Sequence, residues 1–437
     1  MTTIYALSSG HGKAGVAIIR ISGPRAGDVL RLLGGTLPAP RVATLRTLRD
    51  PADLGVLDRG LIMWFPGPAS FSGEDMAELH IHGGRAVIEG VFGGLASIDG
   101  LRPAEPGEFA RRAFENGKLD LTEAEGLADL IDAETEAQRR QALRQSGGAL
   151  RTLYDGWRER LIAALASIEA ELDFSDEGDV PDAVAHAALA AAEALRAEIA
   201  AHLADGRSGE ILRDGLRVVI AGPPNAGKSS LMNALARRDV AIVSAEAGTT
   251  RDVIEVRLDL GGFPVVLMDT AGIREAGGEI EREGVRRALG RAAEADLVLW
   301  LRDATDPHGA PPQIDGDARL IEVINKVDLE PGMRWDGAVL LSVKTGEGLD
   351  RLIARLTEDV RRAAHIGESP PITRARHRRE LERCAAALGR FLGGDFAELE
   401  LRAEDLREAA TALGRLTGRV DVEDILDKIF ADFCIGK

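Results

Sequence analysis

The chain has 437 residues, 45% hydrophobic and 29% charged, an ordinary composition for a folded soluble protein and too long for one compact core, so two to three domains are expected. Its 71 acidic against 54 basic residues leave a net charge of −17, which argues against indiscriminate nucleic-acid binding and leaves room only for a local basic patch. The two cysteines, Cys384 and Cys434, make no disulfide framework and fit a reducing cytoplasm, and no apolar run approaches the ~20 residues that span a bilayer.

The opening MTTIYALSSGHGKAGVAIIR has no basic region followed by an apolar one, so it does not read as a secretory signal. Residues 1–118 alternate short β-type runs (GVAIIRIS, GLIMWF, AELHIH) with Gly/Pro turns, which predicts an α+β domain. Residues 119–212 turn helical. There Thr122 and Glu125 have capping-box spacing, and Leu127, Leu130 and Ile131 recur at helix period. From LRVVIAG onward, residues 213–362 alternate strands with amphipathic helices, the mark of a parallel α/β sheet. Past Pro370-Pro371, residues 363–437 are helical again. Helix, α/β unit, helix predicts an insertion, with the two helical stretches packed as one domain around the ends of the inserted unit.

The strongest chemistry lies in LRVVIAGPPNAGKSSLMNAL, where Gly222, Gly227, Lys228 and Ser229 satisfy G-x-x-x-x-G-K-[ST] between a strand and a helix. Backbone N–H groups from Asn225 and Ala226 to Ser230 curl around phosphate oxygens, Lys228 supplies a point charge, and Ser229 offers its hydroxyl to Mg²⁺. Downstream, the DTAG run (Asp269, Thr270, Ala271, Gly272) ends an apolar strand near the γ-phosphate. In the NKVD run (Asn325, Lys326, Val327, Asp328), Asp328 can accept the guanine ring N–H and amino group, a donor pair adenine lacks. The run Ser342, Val343, Lys344 closes over the base, and Thr250 of GTTRD is a second Mg²⁺ ligand in a segment that γ-phosphate can order. Four motifs in order predict a GTP-binding domain. Ile273 stands where Ras-like proteins keep a water-orienting Gln, so hydrolysis needs another device; Glu275, Glu279, Glu281 and Glu283 are the nearby acids.

With these motifs in hand, the whole chain resembles the MnmE (TrmE) family of tRNA-modification GTPases. RISG, WFPGPASFSGED, HGG, RPAEPGEFARRAFENGKLDL, AEGLADLIDAET and the terminal FCIGK carry the likeness outside the GTPase region. The resemblance implies an N-terminal folate-binding and dimerising α+β domain, a central helical domain and an inserted Ras-like P-loop GTPase domain. It implies that Asn225, with Ser244, Glu246 and Thr249, holds a potassium ion, and that Glu281 orients the attacking water. The switch segment Ser244, Ala245, Glu246, Ala247, Gly248, Thr249 and Thr250 then lies at the nucleotide. A tetrahydrofolate derivative (5-formyl- or methylene-) is implied at Arg20, Glu78, Lys118 and Lys437. The implied reaction, with the flavoprotein MnmG in a heterotetramer built on a homodimer, places a carboxymethylaminomethyl-type group at carbon five of the wobble uridine of certain tRNAs. Cys434 matches the family's tail cysteine, for which a nucleophilic role is conceivable.

Other readings of the same residues stay open. Glu78, His80 and His82 share one face of a strand, as metal ligands or as a hydrogen-bonded strand face. Arg374, Arg376, Arg378, Arg379 and Arg383, or Arg139, Arg140, Arg144 and Arg151, offer a tRNA backbone contact or are solvated faces paired with glutamates. A GTPase switch in ribosome assembly, without modification chemistry, is the alternative function; it gives no reason for the N-terminal block or CIGK. The tail fails as a prenylation box at Lys437. Ile425, Leu426, Ile429, Phe430 and Phe433 instead predict an amphipathic helix that aims Cys434 and Lys437 at the N-terminal domain.

Overall fold

The computed structural model describes residues 2–10, 12–173, 182–238, 240–242, 255–269, 295–306, 319–364, 367, 369–394, 399–420, 422–431 and 433–436. Its contacts divide into two units, residues 1–128, 146–158 and 413–437 in one, and 129–145 and 159–412 in the other.

In the first unit, β1 (Thr3–Leu7), β2 (Ala14–Ser22), β3 (Thr44–Arg49), β4 (Val56–Phe65), β5 (Met76–Gly83) and β6 (Leu101–Pro103) form one sheet in the order β3-β4-β5-β2-β1-β6. All neighbours are antiparallel except β1 and β6. Period-two patterning assigns the faces. Tyr5, Ile19, Ile21, Leu79 and Ile81 point into one core with residues of α1 (Ala26–Gly34) and α2 (Arg85–Ala96). The opposite face carries Ile4, Ala6 and Met76, packed with Phe109 of α3 (Glu108–Glu115). On this second face Ala6 pairs with Arg20, Arg20 with Glu78, and Glu78 with Met63 across four strands.

The helix α4 (Leu121–Asp132) corrects the predicted cap. Its capping box is Asp120 and Glu123: Glu123 N–H donates to Asp120 Oδ1 at 2.7 Å, and Asp120 N–H donates back to Glu123 Oε2 at 2.8 Å. Thr122 and Glu125 lie inside the helix and are buried, with Thr122 Oγ1 donating to the same Asp120 oxygen. Both spacings satisfy the rule; the helix begins at the earlier one because Asp is the stronger N-cap.

The second unit contains α5 (Glu136–Ser146), most of α6 (Ala149–Asp173), α7 (Asp182–Leu203) and the short α8 (Ser208–Asp214). Gly215 then turns the chain into β7 (Leu216–Ala221), followed by α9 (Lys228–Ala236), β8 (Glu255–Leu260), β9 (Phe263–Asp269), β10 (Leu297–Asp303), β11 (Arg319–Asn325), β12 (Val339–Leu340) and α10 (Leu349–Ala363). The six strands lie in the order β12-β11-β10-β7-β9-β8, parallel except for β8. Their near-continuous Val/Ile/Leu runs are what a sheet covered on both faces requires. After the strands and α10 come α11 (Ala375–Gly393) and α12 (Leu399–Thr417). Helix α7, before the sheet in sequence, packs on α11, which follows it.

Candidate active site

Strand β7 sits between β9 and β10, the point where the strand order reverses, and ligands bind at the C-terminal ends of the strands there. The loop leaving β7 has little freedom. At Gly222 φ is +152° and a Cβ would stand 2.1 Å from the Leu301 carbonyl oxygen, so only glycine fits. Asn225 is left-handed at φ 59°, a conformation Asn tolerates better than most residues. Gly227, at φ +99°, starts α9, whose first N–H groups and dipole favour phosphate. Lys228 Nζ donates to the Gly222 and Pro223 carbonyls, both at 3.0 Å, which lays the ammonium across the loop.

The other wall comes from the ends of β11 and β12. Asn325 is buried and joins two motifs: Nδ2 donates to Ala226 O at 2.9 Å, and Oδ1 accepts from Val343 N–H at 3.0 Å. Ser342 Oγ donates to Asp328 Oδ1 at 2.6 Å and accepts from Thr345 N–H at 3.2 Å. This holds the Asp328 carboxylate in place while engaging only one of its oxygens in that bond. The result is an open cleft of about 610 Å³. Asn225, Gly227, Lys228, Ser229 and Ser230 line one side, and Asn325, Lys326, Asp328, Ser342, Val343 and Lys344 the other. Residues 244–250, 270–273, 275, 279, 281 and 283, together with Lys437, lie outside the described residues, and of Asp269 only the backbone at the end of β9 is described.

Two features, one in the cleft and one bonded to a residue that lines it, were not anticipated from sequence. Leu329 lines the cleft beside Asp328. Asp303, the last residue of β10, receives the Lys326 ammonium at 2.5 Å. Its position level with Asn325 in the β10–β11 register is the signal that finds it.

On the second face of the first unit's sheet, Glu78 Oε1 accepts from Arg20 Nη2 at 3.1 Å, and its Oε2 lies 3.1 Å from His80 Nε2. The Arg20 guanidinium also lies 5.6 Å from the centroid of the Phe71 ring and 6.0 Å from that of Phe109. His82 turns instead to Asp58, 2.8 Å away, so Glu78, His80 and His82 do not converge. Among the described residues no group of three or more such side chains could hold a metal ion, which sets the metal reading aside. On the same side of the sheet, buried Arg112 bonds Glu74 and Glu108, both at 2.9 Å, and Ser22 Oγ donates to Glu74 at 2.7 Å. Burial alone would raise Glu108, but bonds from Arg102, the Glu105 N–H and Arg112 outweigh it and hold the carboxyl at about 2. Lys118 approaches the same loop: a Cβ on Gly73 would meet Lys118 Cε at 3.3 Å.

The tail reaches this face. Helix α13 (Glu423–Ala431) buries Leu426 and Phe430, joined by Phe433 just after it, with Ala110, Leu121 and Ala124. Each such aromatic is worth ~1.5–3 kcal/mol by area. Beyond it Ile435 forms an antiparallel bridge with Pro106, and Ser8 Oγ donates to Gly436 O at 2.8 Å. Gly436 is at φ +99°, and a Cβ there would lie 2.2 Å from Leu7 O. Ser8 continues the alternation Ile4, Ala6, Ser8, so the tail is fastened on the face that bears Arg20 and Glu78. Cys434 is exposed, whereas burial pushes the Cys384 thiol up to about 12 and makes it inert.

Most of the arginines considered for tRNA contact are engaged locally. Arg374 bonds Asp129 at 2.6 Å, Arg378 bonds Asp205 at 2.7 Å, Arg383 bonds Glu408 at 2.9 Å, and Arg139 and Arg140 share Glu136. Arg151 reaches Glu123 at 3.1 Å. Among the described residues no helix is long and apolar enough to cross a membrane.

The strand-end cleft, the glycine-locked phosphate loop and the Asp328 pocket define a P-loop nucleotide-binding protein of the GTPase class. Family models described as "GTP-binding protein TrmE N-terminus" and "MnmE helical domain" match residues 3–118 and 121–434. The chain is 59% identical over 448 residues to the "tRNA modification GTPase MnmE" of Parvibaculum lavamentivorans, and 56% identical over 441 residues to that of Maricaulis maris, with 100% of each chain covered. The G domain of the T. maritima FeoB iron transporter matches 34% of this chain and 99% of its own at 25% identity, with a TM-score of 0.26. The chain belongs to the MnmE (TrmE) family.

Proposed function

We propose that this chain hydrolyses GTP to drive tRNA modification at carbon five of the wobble uridine, in the cytoplasm and together with the flavoprotein MnmG. The observation that carries the nucleotide half is Asn325, which bonds the phosphate loop at Ala226 and the base loop at Val343 at once. A nucleotide that seats its phosphates on one side therefore meets Asp328 on the other. Gly222 and Gly227 let the backbone approach the phosphates, Lys228 neutralises them, and the oxygen of Asp328 not bonded to Ser342 accepts from guanine. Inosine nucleotides, which lack the amino group, should bind less well.

Ser229 at the head of α9, with Thr250, would hold Mg²⁺, and Asn225 on the cleft wall, with Ser244, Glu246 and Thr249, would hold K⁺. The left-handed Asn225 backbone and its place in the cleft lining fit that role. Such cations supply positive charge against the charge that develops as the phosphoryl bond breaks. Glu281 would orient the water. Pairing of two chains would complete the potassium site, consistent with a homodimer.

For the modification half, Arg20, Glu78, Lys118 and Lys437 would hold the tetrahydrofolate derivative. The fit rests on Arg20, paired with Glu78 and near both the Phe71 and Phe109 rings, a charged and aromatic setting suited to a flat polar heterocycle. Folate supplies a one-carbon unit when bound. The fastening of Gly436 to Ser8 supports bringing Cys434 and Lys437 to the same face. A ribosome-assembly switch leaves this fastening without a purpose. The test measures GTP hydrolysis in K⁺ against Na⁺ buffer, with folate binding to the same protein. Faster turnover in K⁺ and bound folate are expected; equal rates and no folate binding overturn the proposal.

A further inference from the structure

Of the three polar side chains that alternate along β5, Glu78, His80 and His82, only Glu78 has a task so far. His82 is engaged at the sheet's rim: its backbone N–H and its ring both bond Asp58, each at 2.8 Å. His80 is placed differently. It is the register partner of Ile18 on β2 and of Leu61 on β4, so apolar side chains flank it across both neighbouring strands. Among the described residues its ring makes one hydrogen bond, with Nε2 3.1 Å from Glu78 Oε2.

That bond completes the hold on the carboxylate. Arg20 Nε and Nη2 both donate to Oε1, at 3.3 and 3.1 Å. Two donors on one oxygen leave the carboxylate plane free to swing about that oxygen; a donor on the second oxygen stops it. A carboxylate only accepts, so Nε2 carries the proton of the His80–Glu78 bond. It also has about four acceptor positions, two on each oxygen. Arg20 fills both on Oε1 and His80 takes one on Oε2, which keeps the other. Glu78 is 15% and His80 21% exposed at the side chain, so a ligand reaches the pair while water screens it only in part.

We infer that His80 is a positioning residue for the folate site, pinning Glu78 Oε2 so that its remaining acceptor position receives an N–H of the ligand's heterocycle. This rests on the folate reading above, in which Glu78 holds the ligand; Oε2 is the oxygen that accepts, and His80 is what holds it in place. The task needs an N–H donor at this point of the strand and no charge. A glutamine, whose amide N–H₂ ends a side chain of similar reach, performs it as well, whereas a leucine fills the space between Ile18 and Leu61 and leaves Oε2 unheld.

Full-length wild-type, His80→Leu and His80→Gln proteins are titrated with 5-formyl-tetrahydrofolate, recording both the dissociation constant and the number of sites per chain. His80→Leu is expected to weaken binding about five- to tenfold, equal to ~1–1.4 kcal/mol, with the number of sites unchanged. His80→Gln should stay within about threefold of wild type, which a role in packing alone does not produce. Wild-type affinity in His80→Leu overturns the inference. An equal loss in His80→Gln assigns the effect to the imidazole itself and not to a donor at Oε2, and overturns it too. Fewer sites at an unchanged dissociation constant mean a purely structural role and overturn it as well. Failure of the wild-type protein to bind 5-formyl-tetrahydrofolate would instead refute the folate reading itself.

Discussion

Alanine at Gly227 places a Cβ 2.4 Å from Asn325 Nδ2 on a backbone at φ +99°. Two costs follow. A non-glycine residue held in that backbone region costs ~1–3 kcal/mol. Asn325 must also move, and it loses its bonds to Ala226 O and Val343 N–H, about 1 kcal/mol each. Where the free loop relaxes, the strain reappears on binding, so the sum of ~3–5 kcal/mol lowers nucleotide affinity by about two to four orders of magnitude. Fluorescence titration with GDP of Gly227→Ala, Asn325→Ala and the double variant separates the two costs. With Asn325 removed, the clash is gone and only the backbone cost remains, so adding Gly227→Ala should then cost ~1–3 kcal/mol. Additivity of the two substitutions within ~0.5 kcal/mol, or a Gly227→Ala protein within tenfold of wild type, would refute the coupling drawn through Asn325.

Asn225→Ala should abolish potassium stimulation of hydrolysis while leaving GDP affinity within a fewfold; retained stimulation removes Asn225 as the ion's ligand. The Asp120 carboxyl provides a pH test. Burial, partly offset by bonds from Glu123 N–H and Thr122, pushes it up to about 6, and its Oδ2 has no hydrogen-bond partner among the described residues. Its folded form therefore keeps a proton that the unfolded chain gives up from near the ordinary value of 3.8, and stability falls as pH rises from about 4 to about 6. Asp120→Asn keeps the cap acceptor and removes the charge. It should raise stability at pH 7.5 by at most ~3 kcal/mol, read as a higher midpoint of thermal unfolding, and lose its advantage below pH 4. Equal midpoints at pH 7.5 would refute it.

The phosphate loop was legible because its spacing reflects backbone geometry: Gly222 and Gly227 adopt positive φ where a Cβ has no room. NKVD and SVK were legible as motifs, but the bond from Asn325 to Ala226, which makes one cleft of them, spans 99 positions and has no local pattern. Asp303 was missed because a lone Asp at the end of an apolar strand is ordinary until the β10–β11 register is known. The cap of α4 was misplaced by two residues because Asp120 and Thr122 each stand three before a glutamate. In the N-terminal domain, strand alternation located Arg20 and Glu78, while the Arg112 network on the same side of the sheet joins residues far apart in sequence. The amphipathic run ending in Phe433 gave the tail helix; its docking depends on the space at Gly436 against Leu7, which no periodicity encodes.

The central claim is that GTP turnover in one domain serves chemistry at the face where the tail docks. It is tested most directly by measuring C5-modified wobble uridine in tRNA from cells whose only copy of this chain is wild type, Gly227→Ala, or shortened by residues 434–437. The account predicts full modification with wild type and almost none with either variant, while the purified shortened protein still hydrolyses GTP at the wild-type rate. Normal modification by the shortened chain, or loss of its GTP hydrolysis together with modification, would contradict it.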